Sequence, residues 1–220
     1  HIALEKAIRH LKRLQRADGA WEGECIWCPM LPAQYVIMCH ITGTPIDERR
    51  RRLILRQFET TQLREQGTWG LHEQSPPYLF VTALVYVAAR MLGVAADDPL
   101  LERARAFILA EGGVVDIPSW GKFWLALSGL YEWRGVNPVL PEVWQLPKWM
   151  PFHPSNYYCH TRLIYLGMAS LYGRDDIPVR DQALRASLRR ELYPMGYETV
   201  SWDEARHRLR GEEIFTPPSL

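Results

Sequence analysis

The side chains best suited to chemistry in this 220-residue chain fall into three small groups. Cys25-x-x-Cys28, with Cys39 and His40, has a spacing tolerable for zinc, which takes thiolate and imidazole ligands. Pro29 and a helical Cys39-His40 pair make convergence on one ion awkward, and no second Cys pair exists, so no metal or other cofactor is expected. Adjacent carboxylates occur at Asp97-Asp98, Asp175-Asp176 and Glu212-Glu213. The first precedes Pro99 and reads as a helix N-cap; the other two sit in polar turns and read as solvated. None is assigned an acid's role. The third group is Tyr158-Cys159-His160-Thr161, where an imidazole offers a weak base near neutral pH. A lone His on a helix is by default a satisfied core residue, so its neighbourhood must decide.

The elements that would position these groups read as helices. Leu4, Ile8, Leu11 and Leu14 recur at helical spacing with Lys and Arg on the other faces. A second amphipathic segment runs from Asp47 to Gln62, with Leu53, Ile54, Leu55 and Phe58 on one side. The most apolar run, Tyr78 to Val94, is interrupted by Thr82 and Arg90 and reads as a buried helix. Further helices are expected over Pro99–Ala110, Trp124–Trp133, Tyr157–Tyr172 and Asp181–Leu192. Gly/Pro/Trp stretches, including Ile117-Pro118-Ser119-Trp120-Gly121-Lys122, separate them. Five prolines between Val136 and Ser155 predict a long irregular loop, a length that usually marks function.

One pattern occurs twice. Leu11-x-x-Leu14-Gln15-x-x-x-Gly19-x-Trp21 is echoed by Phe58-x-x-x-Gln62-x-x-x-x-Gly67-x-Trp69. Each copy ends a helix in Gln, turns on a Gly with its wider backbone freedom, and places a Trp after it. A Gln amide can bond freed backbone groups at neighbouring helix ends, and stacked helix pairs are the architecture such a repeat suggests.

Bulk properties exclude several classes. At 47% hydrophobic residues the chain is globular rather than disordered. A net charge of +1, with basic and acidic residues interspersed, gives no reason to expect nucleic acid. Four cysteines are too few for a disulfide scaffold, which favours a reducing compartment. No run of eighteen apolar residues is present to span a bilayer, although a monotopic contact stays open. The amphipathic start without Met and the closing Thr216-Pro217-Pro218-Ser219-Leu220 both read as mid-chain sequence.

The Gln-to-Trp repeats resemble the QW motifs of squalene-hopene and oxidosqualene cyclases. Ile117-Pro118-Ser119-Trp120-Gly121-Lys122-Phe123-Trp124-Leu125-Ala126 is similar to the oxidosqualene cyclase pattern over ten residues. So is Tyr158-Cys159-His160-Thr161-Arg162, with His153-Pro154-Ser155 before it and Tyr165 after it. Leu192-Tyr193 and Glu213-x-Phe215-Thr216-Pro217 follow in order. The resemblance covers essentially the whole chain. It implies an all-α fold, an (α/α) barrel toroid in which residues 1–220 make the N-terminal domain of a two-domain cyclase. The implied substrate is oxidosqualene or squalene, and the implied partners are the C-terminal domain and a membrane surface.

The resemblance also assigns roles. A carbocation crossing a folded polyene needs aromatic faces, which stabilise charge without trapping it. Trp124 and Tyr158 fall at cavity-wall positions, Tyr158 where the family usually carries Trp, and Thr161 lies in the same motif. His160 matches a His of the late rearrangement and deprotonation stage, which tilts the expected product toward a lanosterol- or cycloartenol-like sterol. Tyr165 corresponds to the substrate-access constriction, and Gln34 falls where hopene cyclases carry a Glu near the catalytic acid. Gln15, Gly19, Trp21, Gln62, Gly67 and Trp69 are structural.

The chain departs from the eukaryotic pattern at Cys25-Ile26-Trp27-Cys28-Pro29, where a cavity Tyr is missing, and Ala33–Ile41 is closer to hopene cyclases. That mixture points to a bacterial sterol-type cyclase on the cytoplasmic side of a membrane. The acidic motif that protonates the substrate lies in the C-terminal half of this family, so this chain alone is expected not to cyclise. The face bearing Trp124, Tyr158 and His160 is then expected as exposed apolar surface. The Pro-rich loop with Trp144, Trp149, Met150 and Phe152 is expected near the access route or the membrane. A non-catalytic helical-toroid binding module is the alternative reading.

Overall fold

A computed structural model describes residues 2–22, 28–174 and 180–210. The Cys25–Trp27 departure, both polar carboxylate pairs at 175–176 and 212–213, and the Phe215-Thr216-Pro217 match lie outside the described residues. Within them every regular element is helical: α1 (Ile2–Leu14), α2 (Met30–Thr42), α3 (Glu48–Thr61), α4 (Leu79–Met91), α5 (Pro99–Ala110), α6 (Ser119–Leu127), α7 (Cys159–Tyr172), α8 (Gln182–Leu192) and α9 (Trp202–Ala205). The all-α class expected from the sequence is what forms.

Local chemistry sets the start of three helices. Asp47, Asp98 and Asp181 accept the backbone N–H of Arg50, Leu100 and Leu184 at 2.8, 2.9 and 2.9 Å, each satisfying a donor the first helical turn leaves orphaned. Pro99 sits in the first turn of α5, where a missing N–H costs nothing. The bounds of α6 and the presence of α2 differ from expectation. Helix α6 starts at Ser119 because Pro118 takes the N-cap, and it stops at Leu127, where Gly129 turns to φ +66° and Leu130 N–H donates back to Leu125 O. Helix α2 also stands where sequence periodicity had marked no separate element, its apolar residues lying too evenly around it to make one stripe.

Helix α4 is the centre of the fold. Every residue from Leu79 to Ala89 is buried, and α2, α5 and α8 pack around it. Its two polar interruptions are both partnered. Thr82 Oγ1 donates to Trp69 O at 3.0 Å and accepts Trp69 N–H at 3.1 Å. Arg90 pairs with Glu191 of α8 across 101 residues of sequence. Polar groups in an apolar helix are tolerated here because neither is left unpaired.

The repeat is a real structural unit. In each copy the helix ends one residue before its Gln. Gln15 Nε2 donates to Gly19 O at 2.8 Å, and Gln62 Nε2 donates to Gly67 O at 2.9 Å. The indoles of Trp21 and Trp69 donate back to Leu11 O and Phe58 O, both at 2.8 Å, onto the residue four before each Gln. Gly19 and Gly67 take φ of +84° and +68°, a region that penalises any Cβ. Gln62 goes further and donates to Leu100 O of α5 at 2.8 Å, stapling the end of α3 to the start of α5.

Candidate functional site

Helix α7 is held at one end and free at the other. Ala169 is its buried residue, and Tyr172 packs edge-on against Trp133 at 5.6 Å, whose ring in turn meets Phe123 of α6 at 5.4 Å. The 3₁₀ turn Pro141–Gln145 packs along the helix from the loop side. Nothing comparable covers the N-terminal half among the described residues. Tyr158, Leu163, Ile164, Tyr165 and Leu166 are all exposed, Tyr158 at 72%. An apolar helix end left open in this way is a surface for another body or ligand.

That open end carries the candidate residues. Tyr158 is the N-cap, and its ring stacks on His160 with centroids 5.3 Å apart and planes 19° from parallel. His160 Nδ1 lies 3.2 Å from Cys159 Sγ, which leaves Nε2 available. Thr161 is exposed beside them. Tyr165 turns to the other side of the helix, edge-on to Tyr157 at 6.3 Å. It lines a pocket of about 140 Å³ between α7 and the Pro-rich loop, with Leu140, Val143 and Trp144 opposite. His153, at the foot of the loop, is a cap: its Nδ1 accepts Ser155 N–H at 3.0 Å.

Trp124 and Gln34 stand apart from this group. Trp124 is half-buried on α6, edge-on to Trp120 at 6.1 Å, and Gln34 is buried on α2. Among the described residues no hydrogen bond or ring contact joins either to Tyr158, His160 or Tyr165. They share one oddity. Trp124 Nε1 and Gln34 Nε2 are buried donors without an acceptor among the described residues, a state that buried polar groups rarely tolerate. No group of three His, Cys, Asp or Glu side chains placed to hold a metal occurs among the described residues, and Cys25 lies outside them.

Lys122 was passed over by sequence reading as a motif residue, and it has a clear task. It is buried at 1% exposure, and Nζ donates to Ala205 O and Arg208 O, both at 2.6 Å, closing the end of α9. Burial lowers its pKa to about 8, opposed by Asp116 and assisted by Arg208. Between that value and the unfolded 10.5 the unfolded chain binds the extra proton, so stability should rise with pH from about 8. From about 9.5 it should fall, since burial raises the phenols of Tyr86, Tyr131, Tyr193 and Tyr197, and the four together keep more protons than Lys122 gives up. Urea unfolding from pH 7 to 11 tests this, and a Lys122→Met chain that still shows the rise would refute the assignment.

Comparison with known proteins decides the family. The profile of the squalene-hopene cyclase N-terminal domain matches residues 4–217. The chain belongs to this family. It is 41% identical over 219 residues to a lanosterol synthase of Mus musculus, covering 100% of this chain and 30% of that protein. It is 40% identical over 214 residues to a cycloartenol synthase of Dictyostelium discoideum, covering 97% and 30%. A lanosterol synthase of Homo sapiens is 40% identical over 222 residues, covering 100% and 30%. The chain thus spans about 30% of the length of these relatives.

Proposed function

We propose that this chain is the N-terminal part of a cyclase that converts 2,3-oxidosqualene, or squalene, into a polycyclic sterol-type product. The observation that carries the reading is the Tyr158–His160 stack at the open apolar end of α7. A carbocation travelling through a polyene is stabilised by aromatic faces, and a weak base beside one of them can end the cascade. His160 Nε2 would take the proton from the carbon adjacent to the last cation, the C–H pair becoming the product's double bond. Tyr158 offers a ring face and fixes the imidazole by stacking. Trp124 adds a half-buried indole, Thr161 a hydroxyl at the rim, and Tyr165 narrows the approach from the Pro-rich loop. Gln34, whose amide nitrogen has no acceptor among the described residues, would orient a water or the partner of the acid. The acid that opens the epoxide belongs to residues outside this chain, supplied by the C-terminal domain that closes the cavity.

Incubating the full-length polypeptide with detergent-solubilised oxidosqualene and squalene, and analysing products by gas chromatography and mass spectrometry, tests the reading. Cyclised product is expected from the full-length protein and none from residues 1–220 alone. Conversion of neither substrate by the former, or product from the latter, would overturn it.

Membrane association belongs to the same proposal. No helix among the described residues is long and apolar enough to cross a membrane. Trp149 and Phe152 nevertheless stand 81% and 63% exposed on the Pro-rich loop that flanks the Tyr165 pocket. The amphipathic indole of Trp149 favours the headgroup boundary and Phe152 adds apolar area beside it, and this surface would collect an apolar substrate from a monolayer on the cytoplasmic side. Flotation with phosphatidylcholine liposomes should show weaker binding for Trp149→Ala/Phe152→Ala. Unchanged binding sinks the placement.

A further inference from the structure

Helix α3 carries charge that works against its own stability. Arg49, Arg50, Arg51 and Arg52 follow one another near its start and Arg56 comes a turn later, set against Glu48 and Glu59 alone. That excess sits on one helix of a chain whose net charge is +1. The N-terminal end of a helix disfavours cations, and Arg52 repels Arg56 four residues on and Arg49 three residues back. Two of the five have structural work. Arg50 donates to Tyr35 Oη and Arg51 to Leu92 O, both at 2.8 Å. Arg49, Arg52 and Arg56 are exposed, and their side chains have no hydrogen bond, ion pair or ring contact among the described residues. Helical spacing puts these three on the side opposite Ile54 and Phe58, which seat α3 on the core. Leu53 stands among them at 56% exposure, in a stripe about 10 Å long.

We infer that this face docks an acidic helix of another protein, whose carboxylates meet Arg49, Arg52 and Arg56 while an apolar side chain covers Leu53. Charge complementarity and the choice of cation favour that occupant. Every cation on the face is Arg, whose planar guanidinium pairs with a carboxylate through two parallel bonds. Arg is also enriched in protein interfaces, where Lys is depleted. An anionic bilayer fits less well. A helix lying in the headgroup layer needs a broad apolar face, and here Leu53 is the one large apolar side chain on the outward side. A second copy meeting the same face would set arginines against arginines. Nucleic acid is opposed by the balanced charge of the rest of the chain. The inference rests on α3 alone, not on the chemistry proposed above.

The experiment places benzoylphenylalanine at Leu53 of the full-length protein and irradiates it in the cells of its native host. Mass spectrometry should find it joined to another protein, through a segment with three or more Asp or Glu within about two helical turns. Arg49→Glu/Arg52→Glu/Arg56→Glu in the same protein should cut that cross-link about 10-fold, since three attractive pairs become repulsive. Carboxylates suit the start of a helix, so the triple variant should melt no lower than its parent by circular dichroism. Arg49→Gln/Arg52→Gln/Arg56→Gln, which removes the charge without reversing it, should also weaken the cross-link. A synthetic peptide of the captured segment should bind the purified full-length protein less tightly as salt rises. A cross-link to phospholipid, to a neutral or basic segment, to the same polypeptide or to a second copy would overturn the inference, and so would none at all. Variants that keep the cross-link, or peptide binding indifferent to salt, would overturn it too. None of these readouts needs turnover, so loss of cyclisation and loss of docking are separately visible.

Discussion

Replacing Glu191 with alanine should lower the unfolding free energy of the chain by about 3–5 kcal/mol, the usual cost of stranding one member of a buried ion pair. Glu191 is 5% exposed on α8, and Arg90 of α4 meets it with two bonds, Nε to Oε2 at 2.9 Å and Nη2 to Oε1 at 3.1 Å. Tyr86 O–H donates to Oε2 at 2.8 Å and Ser187 O–H to Oε1 at 2.6 Å. Alanine would strand a guanidinium and a phenol against the core. Burial pushes the carboxyl pKa up, but the bonds from Arg90, Ser187 and Tyr86 outweigh it and hold the group below 4.5. The contribution is therefore fully present above about pH 4.5 and is lost as pH falls through the lowered folded value. Glu191→Gln, which keeps an acceptor, should cost less than Glu191→Ala. Arg90→Met/Glu191→Leu should also cost less than Glu191→Ala, since it removes both charges together. Urea denaturation measures all three, and a Glu191→Ala loss under about 1 kcal/mol would show that the network does not bind α4 to α8.

What could be read in advance, and what could not, follows from distance along the chain. The caps at Asp47 and Asp98 and the Gln-to-Trp turns are local, each closed within eleven residues, so composition and spacing specify them. The Arg90–Glu191 pair spans 101 residues, and no local rule joins its members. Half a signal was nevertheless present. Glu191 lies on the stripe of Leu184 and Leu188, and a carboxylate on an apolar stripe needs a buried cation. Arg90 inside the most apolar helix was the matching anomaly. Lys122 escaped for the same reason, its acceptors lying 83 and 86 residues away. Of the site, the His160 motif was legible because its residues are neighbours on one helix end. The hold exerted by Trp133 on both Phe123 and Tyr172 was not. That contact makes α6 and α7 one support, and it explains how a well-packed fold can present an uncovered helix end.

Replacing His160 with alanine in the full-length protein should reduce the final deprotonated product about 100-fold, the lower bound for a positioned base. Partly cyclised or differently terminated polyenes should increase in its place. Stability should not account for the loss. His160 is exposed and touches Tyr158 and Cys159 rather than the core, so its removal should change unfolding by less than about 0.5 kcal/mol. His160→Phe separates the two things an imidazole can do here. A phenyl ring keeps the stack on Tyr158 and a face for the cation but has no lone pair to take a proton. If proton removal is the role, the Phe variant cyclises and terminates elsewhere; if only the aromatic face matters, it restores the original product. Tyr158→Ala frees the imidazole from its stack without removing the base, so it should broaden the product mixture more than it slows turnover. A His160→Ala protein with the wild-type product profile would remove the base assignment while leaving the family, the fold and the Gln-to-Trp staples untouched.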